Sequence, residues 1–300
     1  MSLVIVGSVA FDTIETPGAR RERIVGGSCT YSALAASFFT RPGIVAVVGE
    51  DFPKTTADFL KKRGVDLKGL TVVPGGKTFF WEGRYGDDPN QRDTVRLDLN
   101  VFRDFQPTLP PSYRAPDILF LANISPGLQE HVLAQVKRPR LVAMDTIRHY
   151  IETEPEALDR VLRKTDICFA NDEEARLMTN EGNLIRAGRR LLERGPRLVV
   201  LKKGEHGAFV FGRDSLFGIM AHPCEGVVDP TGAGDSFAGA FLGYLDRVGN
   251  FRASSIRRAA VYGSVLASFT IEDFGIERFK TMKPADVEAR FAALKKLVSV

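Results

Sequence analysis

Residues 225–245 read EGVVDPTGAGDSFAGAFLGYL: a short apolar strand, a turn built from Pro, Thr and small residues, then a long apolar helix. Gly232, Ala233 and Gly234 carry little or no side chain, so their backbone N–H groups can approach a ligand closely at the positive end of the helix that follows. Such a turn is a cradle for phosphate. Asp235 comes next, where an anion would be expected to sit, and a carboxylate there is electrostatically awkward unless it serves a purpose. Phosphoryl transfer supplies one. Charge spreads over the γ-phosphoryl oxygens in a loose transition state, so the site needs fixed donors for that charge and a base that receives the hydroxyl proton late. A carboxylate of ordinary pKa suffices as that base. The same residues are also explained by Asp235 capping the helix and the glycines permitting a tight turn.

Outward from this passage the chain alternates. Apolar, β-branched runs at Leu3 to Val6, Ile44 to Val48, Ile118 to Leu121, Leu141 to Met144, Ile167 to Ala170 and Leu198 to Leu201 predict buried parallel strands. Between most of them, Ser28 to Phe39, Asp51 to Arg63, Pro126 to Gln135, Pro155 to Lys164 and Leu184 to Arg194 carry apolar residues at helical spacing. Further helices are expected at Gly232 to Asp246, Ala253 to Ile271 and from Pro284 onward. Strand alternating with helix means an α/β fold, a parallel central sheet flanked by helices. Leu67 to Leu99 breaks the pattern: TFFWEGRY and DTVRLDL read as short strands around the turn-rich GDDPNQ, a small β-sheet lid over the carboxyl ends of the strands, or an ordinary surface hairpin. One domain is expected over 1–300, with lid strands from about 10–25 and 67–99.

The bulk properties narrow the class. Among 300 residues, 41 Lys and Arg face 37 Asp and Glu without a long basic tract, which speaks against a nucleic-acid partner and suits an anionic small ligand. The three cysteines, Cys29, Cys168 and Cys224, are an odd number without a CxxC pair, so a reducing, cytoplasmic setting is expected rather than a disulfide framework or a zinc site. SLVIVGSVAF near the N-terminus reads as a buried strand rather than a signal peptide, and no membrane span is predicted. His131, His149, His206 and His222 lack the spacing of a metal site or triad. No GxSxG, HExxH or GxxxxGK[ST] occurs, which removes the P-loop kinases, and the lack of a full GxGxxG weakens a dehydrogenase on a dinucleotide fold.

DPTGAGDSFAGAFL, Asp229 to Leu242, resembles the C-terminal signature of the ribokinase-like, or PfkB-type, carbohydrate and nucleoside kinases. Three further features fall in that family's order: GSVAFD with Asp12 after the first strand, the double glycine Gly26 and Gly27 opening the first helix, and an NxxE element at Asn171 and Glu174. The resemblance implies a ribokinase-like fold with a lid and an ATP-dependent transfer to a sugar or nucleoside hydroxyl. It implies that Gly232, Ala233 and Gly234 form an anion hole, that Asp235 is the base, and that Asp12, Gly26 and Gly27 hold the acceptor. Asn171 and Glu174 would order Mg2+ through its waters. Lys203, Gly204 and Gly207 of LVVLKKGEHGAFVF, with Thr231, would line ATP, though a surface turn explains the first three without any ligand. The loop with Asp229 and Thr231 is where relatives hold a monovalent cation such as K+.

One departure bears on the acceptor. Sugar-specific members follow the double glycine with a Lys-Gly-Ala-Asn segment, whereas this chain has SCTYSALAA, Ser28 to Ala36, which counts against ribose. Phe79, Phe80, Trp81, Tyr85 and Tyr31 could stack a nucleobase or could pack, including against a second subunit in a homodimer joined through the lid. Arg84, Arg92 and Arg96 could hold a phosphosugar or merely alternate along an exposed strand. The reading is therefore a kinase for the hydroxymethyl group of a sugar or sugar-like molecule, with a nucleoside kinase as the alternative, and a catalytically silent sugar- or nucleotide-binding regulator as the alternative of another class.

Overall fold

A computed structural model describes residues 2–298. Seven parallel strands, β1 (Leu3–Val6), β4 (Gly43–Gly49), β5 (Asp66–Val73), β8 (Ile118–Leu121), β9 (Leu141–Met144), β10 (Ile167–Asn171) and β11 (Leu198–Lys202), join two antiparallel ones, β12 (Ala208–Gly212) and β13 (Ser215–Ile219). They form one sheet in the order β13-β12-β11-β10-β9-β8-β1-β4-β5. The inner strands are buried on both faces, which is why they read as unbroken apolar runs rather than alternating ones. Leu3 and Ile5 pack under the helices Ser28–Ala36, Ala233–Val248 and Ala253–Thr270, while Val4 and Val6 belong to the core on the opposite face, beneath Pro126–Leu133, Pro155–Leu162 and Leu184–Glu193.

A second sheet stands apart from the first. It is built from β2 (Ala10–Thr16), β3 (Ala19–Gly26), β6 (Phe79–Tyr85) and β7 (Arg92–Asp98), in the order β3-β2-β6-β7. Asp66–Val73, grouped with the lid by sequence patterning, is instead the edge strand of the large sheet, in parallel register with β4. Gly69 makes that register possible, because a Cβ there would sit 2.4 Å from the Ile44 carbonyl oxygen. Glu225–Val228, read as a short strand, pairs with no strand among the described residues; the Val228 amide donates to the Ile271 carbonyl at 2.8 Å.

Helix Ala233–Val248 lies against helix Ser28–Ala36 more closely than side chains would permit. A Cβ on Gly239 would come within 2.1 Å of the Ser32 carbonyl oxygen, and Ser32 Oγ donates to the Asp235 carbonyl at 3.1 Å. This contact fixes the start of the long helix beside the start of the first one, at the carboxyl edge of the sheet.

Candidate active site

The helix Ala233–Val248 begins at Gly232, whose φ of +78° lies in the left-handed region. A Cβ at this position would also strike the Tyr31 ring at 2.4 Å, so only glycine lets the turn lie flat on that ring. Tyr31 is therefore a packing residue beneath the turn, 1% exposed, and not a stacking face in the mouth of the site. No side chain caps the helix, and among the described residues the amides of Gly232 and Gly234 donate to no protein acceptor. Unpartnered amides at the start of a long helix form a standing site for an anion.

Asp235 sits in the first turn, partly buried. Burial pushes its carboxyl up to about 7, and Asp145 adds repulsion, while Lys202 and Arg92 hold it back. Sequence reasoning did not find Asp145 and Lys202. Asp145 follows β9, Lys202 ends β11, and the two join in a buried ion pair of 2.6 Å. Burial opposes the Lys202 charge, but Asp145 and Glu174 more than offset it, so the lysine stays protonated. The Lys202 Nζ is 3.2 Å from where a Cβ on Gly234 would stand, which puts a fixed cation beside the open amides.

Asn171 and Glu174 form a reciprocal cap on the helix Asp172–Thr179. Glu174 N–H donates to Asn171 Oδ1 at 2.8 Å, and Asn171 N–H donates to Glu174 Oε2 at 2.7 Å. One glutamate oxygen, Oε1, thus remains without a donor among the described residues. Burial, with Asp145, pushes Glu174 up to about 7. The oxygen of Glu174 left without a donor fits Mg2+ bound through its waters. No group of three or more His, Cys, Asp or Glu side chains among the described residues is placed to ligate a metal directly.

Asp12 projects from β2 and is 3% exposed. Burial, then Asp229 and Asp235, hold its carboxyl well above the usual range, against the pull of Arg92. Gly26 makes room for it, since a Cβ there would lie 1.8 Å from Asp12 Oδ2, and Gly27 precedes the first helix. Facing these residues, the lid touches the anion turn directly: the Tyr85 and Thr231 hydroxyls are 3.0 Å apart. It also reaches the turn that follows β11, where Asn90 Nδ2 donates to Glu205 Oε2 at 2.9 Å and leaves no room for a side chain on Gly204. Lys203 lies 3.8 Å from the Phe209 ring centroid, stacked on it, and Gly207 takes a φ of +78° against the Ile219 carbonyl. Asp235, Gly232, Gly234, Glu174, Asp12 and Thr231 are thus brought to one place, whereas Lys203 occupies a neighbouring turn.

A parallel sheet with its polar strand ends beside an open helix N-terminus, closed over by a separate β-lid, defines an α/β enzyme that transfers a phosphoryl group to a small molecule. The chain belongs to the pfkB family of carbohydrate kinases, which it matches over residues 2–280. It is 31% identical over 252 residues to a cytidine kinase of Thermococcus kodakarensis, covering 82% of this chain and 89% of the relative. A nucleoside kinase of Burkholderia thailandensis, solved in complex with ADP-inosine, superposes with a TM-score of 0.80 at 20% identity, covering 98% of this chain and 96% of the other. An E. coli protein called ribokinase II, solved with ATP and Mg2+, superposes with a TM-score of 0.74 at 21% identity, over 98% and 100% of the two chains. The fold is ribokinase-like, and the protein is an ATP-dependent kinase of sugars or nucleosides. No helix among the described residues is long and apolar enough to cross a membrane.

Proposed function

We propose that the protein transfers the γ-phosphoryl group of ATP to a hydroxymethyl group of a nucleoside. The observation that carries this reading is the placement of Asp235, a carboxyl raised to about 7, directly after amides that have no protein acceptor. The acceptor oxygen attacks the γ-phosphorus, the bond from phosphorus to the ADP oxygen breaks, and Asp235 takes the hydroxyl proton. Gly232 and Gly234 amides, with Lys202 beside them, receive the charge that develops on the phosphoryl oxygens. Glu174 and Asn171 would hold Mg2+ through its waters, and that ion supplies neutralisation of the nucleotide phosphates.

The likeness to a cytidine kinase supports a nucleoside as acceptor. Trp81, the single tryptophan, lies next to Asp12 in the lid with its ring against Gly83 and the Arg92 guanidinium over it, so it supports no stacking role by itself. A monovalent cation such as K+ would suit the loop at Asp229, whose fully buried carboxylate accepts the Thr231 and Gly275 amides at 2.9 and 3.1 Å and pairs with no cationic side chain among the described residues. Val95 and Leu97, exposed on β7, support a homodimer joined through the lid.

The test is ADP release from ATP and Mg2+ across cytidine, other nucleosides, free sugars and phosphosugars, for the protein and for Asp235→Asn. Turnover with a nucleoside, lost by ~10²–10⁴-fold in the variant, is expected. Turnover with a sugar alone would move the acceptor class. ATP binding without turnover across the panel would overturn the reading in favour of a regulator, and equal activity in both proteins would reject Asp235 as the base.

A further inference from the structure

Asp51 stands on the turn between β4 and the helix Lys54–Lys62, yet that helix starts without a side-chain cap. The side-chain bonds of Asp51 run to the lid instead. Its Oδ1 accepts the Thr78 amide at 2.8 Å and the Thr78 hydroxyl at 2.7 Å, and its Oδ2 accepts from the Arg23 guanidinium at 3.2 Å. Thr78, 1% exposed, is the last residue before β6, at the step by which the chain passes from the large sheet into the lid. Arg23 belongs to β3, the strand that returns to the body through Gly26 and Gly27. One carboxylate on the large sheet thus holds two lid strands, one leaving that sheet and one returning to it.

The join is closely built. The Thr78 hydroxyl also accepts the Gly49 amide at 3.0 Å, Asn100 Nδ2 donates to the Thr78 carbonyl at 2.9 Å, and a Cβ on Gly49 would lie 2.4 Å from the Gly76 carbonyl oxygen. Every polar group of Thr78 is engaged, which leaves one orientation for the start of β6. Burial alone would raise the Asp51 carboxyl, but Thr78 and Arg23 more than offset it and hold it below the usual carboxylate range. Register carries this anchoring to the acceptor carboxylate. β2 lies between β3 and β6, and Asp12 on it pairs in register with Ile24 of β3 and Trp81 of β6. Arg23 directly precedes Ile24, in a bulge opposite Thr13, to whose hydroxyl oxygen its amide donates at 3.2 Å. Phe52, next to Asp51, packs on Phe11, next to Asp12, with ring centroids 6.3 Å apart. Both neighbours of the Asp12 strand are therefore set from a single point, while the far end of β6 is held by Tyr85 against Thr231.

Resting on the kinase reading above, we propose that Asp51 is a positioning residue: through Thr78 and Arg23 it sets the lid on the large sheet so that Asp12 holds the acceptor hydroxyl in line with Asp235. It acts on the acceptor rather than on ATP, whose phosphate site is built at the helix Ala233–Val248 in the other half of the chain. The two arms differ in strength. The Thr78 arm is buried, whereas the Arg23 side chain is 57% exposed, so its pair with Asp51 contributes little.

The experiment measures kcat, the KM of ATP, the KM of the best acceptor of the panel and the urea unfolding midpoint. It compares the unaltered protein with Asp51→Ala, Thr78→Val, Thr78→Ser, Arg23→Ala and Glu50→Ala. Glu50 shares the turn but accepts the Gly75 amide, so its variant controls for loosening of the turn itself. The expected result is a ~10–10²-fold loss of kcat/KM for the acceptor in Asp51→Ala and a smaller one in Thr78→Val, with the KM of ATP within about twofold. Thr78→Ser restores the hydroxyl and should recover most of the rate, while Arg23→Ala should lose about threefold or less and Glu50→Ala less than about twofold. A loss shared equally by ATP and the acceptor, a Thr78→Ser variant as poor as Thr78→Val, or a lowered midpoint with unchanged kinetics would make Asp51 a support of the fold alone. Each of these overturns the positioning role while the kinase reading stands. Lack of turnover by the unaltered protein with every acceptor overturns that reading and this inference with it.

Discussion

The floor of the site and its lid hold charge in opposite ways. On the floor, Asp145, Glu174 and Lys202 are buried at the ends of strands and helices, each oriented by a bond to a neighbour that is itself rigid. On the lid, β7 is exposed along nearly its whole length, and its arginines lie in solvent-facing pairs or over an aromatic ring. Charges fixed in a dry floor act on bond making, because the local dielectric is low and no reorganisation is needed at the moment of reaction. Charges on an exposed sheet are screened, and they gain strength only when the lid shuts water out. The two regions should therefore answer substitution differently, the floor in stability as well as activity, the lid in activity alone.

The largest effect should follow from breaking the floor pair. Lys202→Met leaves Asp145 buried without its cation, at a cost of about 3–5 kcal/mol measured by urea unfolding. A loss below about 1 kcal/mol would mean that water reaches the pair and that the floor resembles the lid. Next comes pH. Only ionised Asp235 accepts a proton, so kcat/KM should fall as pH drops through about 7 in the free enzyme. Removing Asp145 takes away repulsion and should move this limb to lower pH in Asp145→Asn, whereas Arg92→Ala removes attraction and should move it to higher pH. The smallest effect belongs to the lid contact: Tyr85→Phe loses the bond to Thr231, worth about 0.5–1.5 kcal/mol, and should raise the acceptor KM by about two- to tenfold without altering the unfolding midpoint of the main sheet.

What the sequence showed and what it hid follow the same division. The small-residue turn before Asp235 and the Asn171–Glu174 element were visible because each is built from residues within a few positions of one another, whereas their reciprocal capping came only with the structure. Asp145 and Lys202 were not, since they lie 57 positions apart and meet only because β9 and β11 flank β10. A signal did exist: VAMD, FAN and VVLK are apolar strands that each end in a polar residue at the carboxyl edge of the sheet, where ligands of such folds gather. The side on which each lid arginine falls depends on the bulge at Val95, which strand alternation in a single segment does not reveal. Tyr31 stayed open between stacking and packing because nothing near it in the chain shows that Gly232 will lie across its ring.

Among the described residues the lid meets the C-terminal half through two side-chain hydrogen bonds, Tyr85 to Thr231 and Asn90 to Glu205, and through the packing of Ile14 and Tyr85 against Phe274, with Arg21 over that ring. The hydrogen bonds contribute about 1 kcal/mol each and the buried apolar contact adds to them, so the closed form dominates and opening is brief. The two bonds work as a turnstile: traffic passes in brief openings, and water has little time to compete with the acceptor for the phosphoryl group.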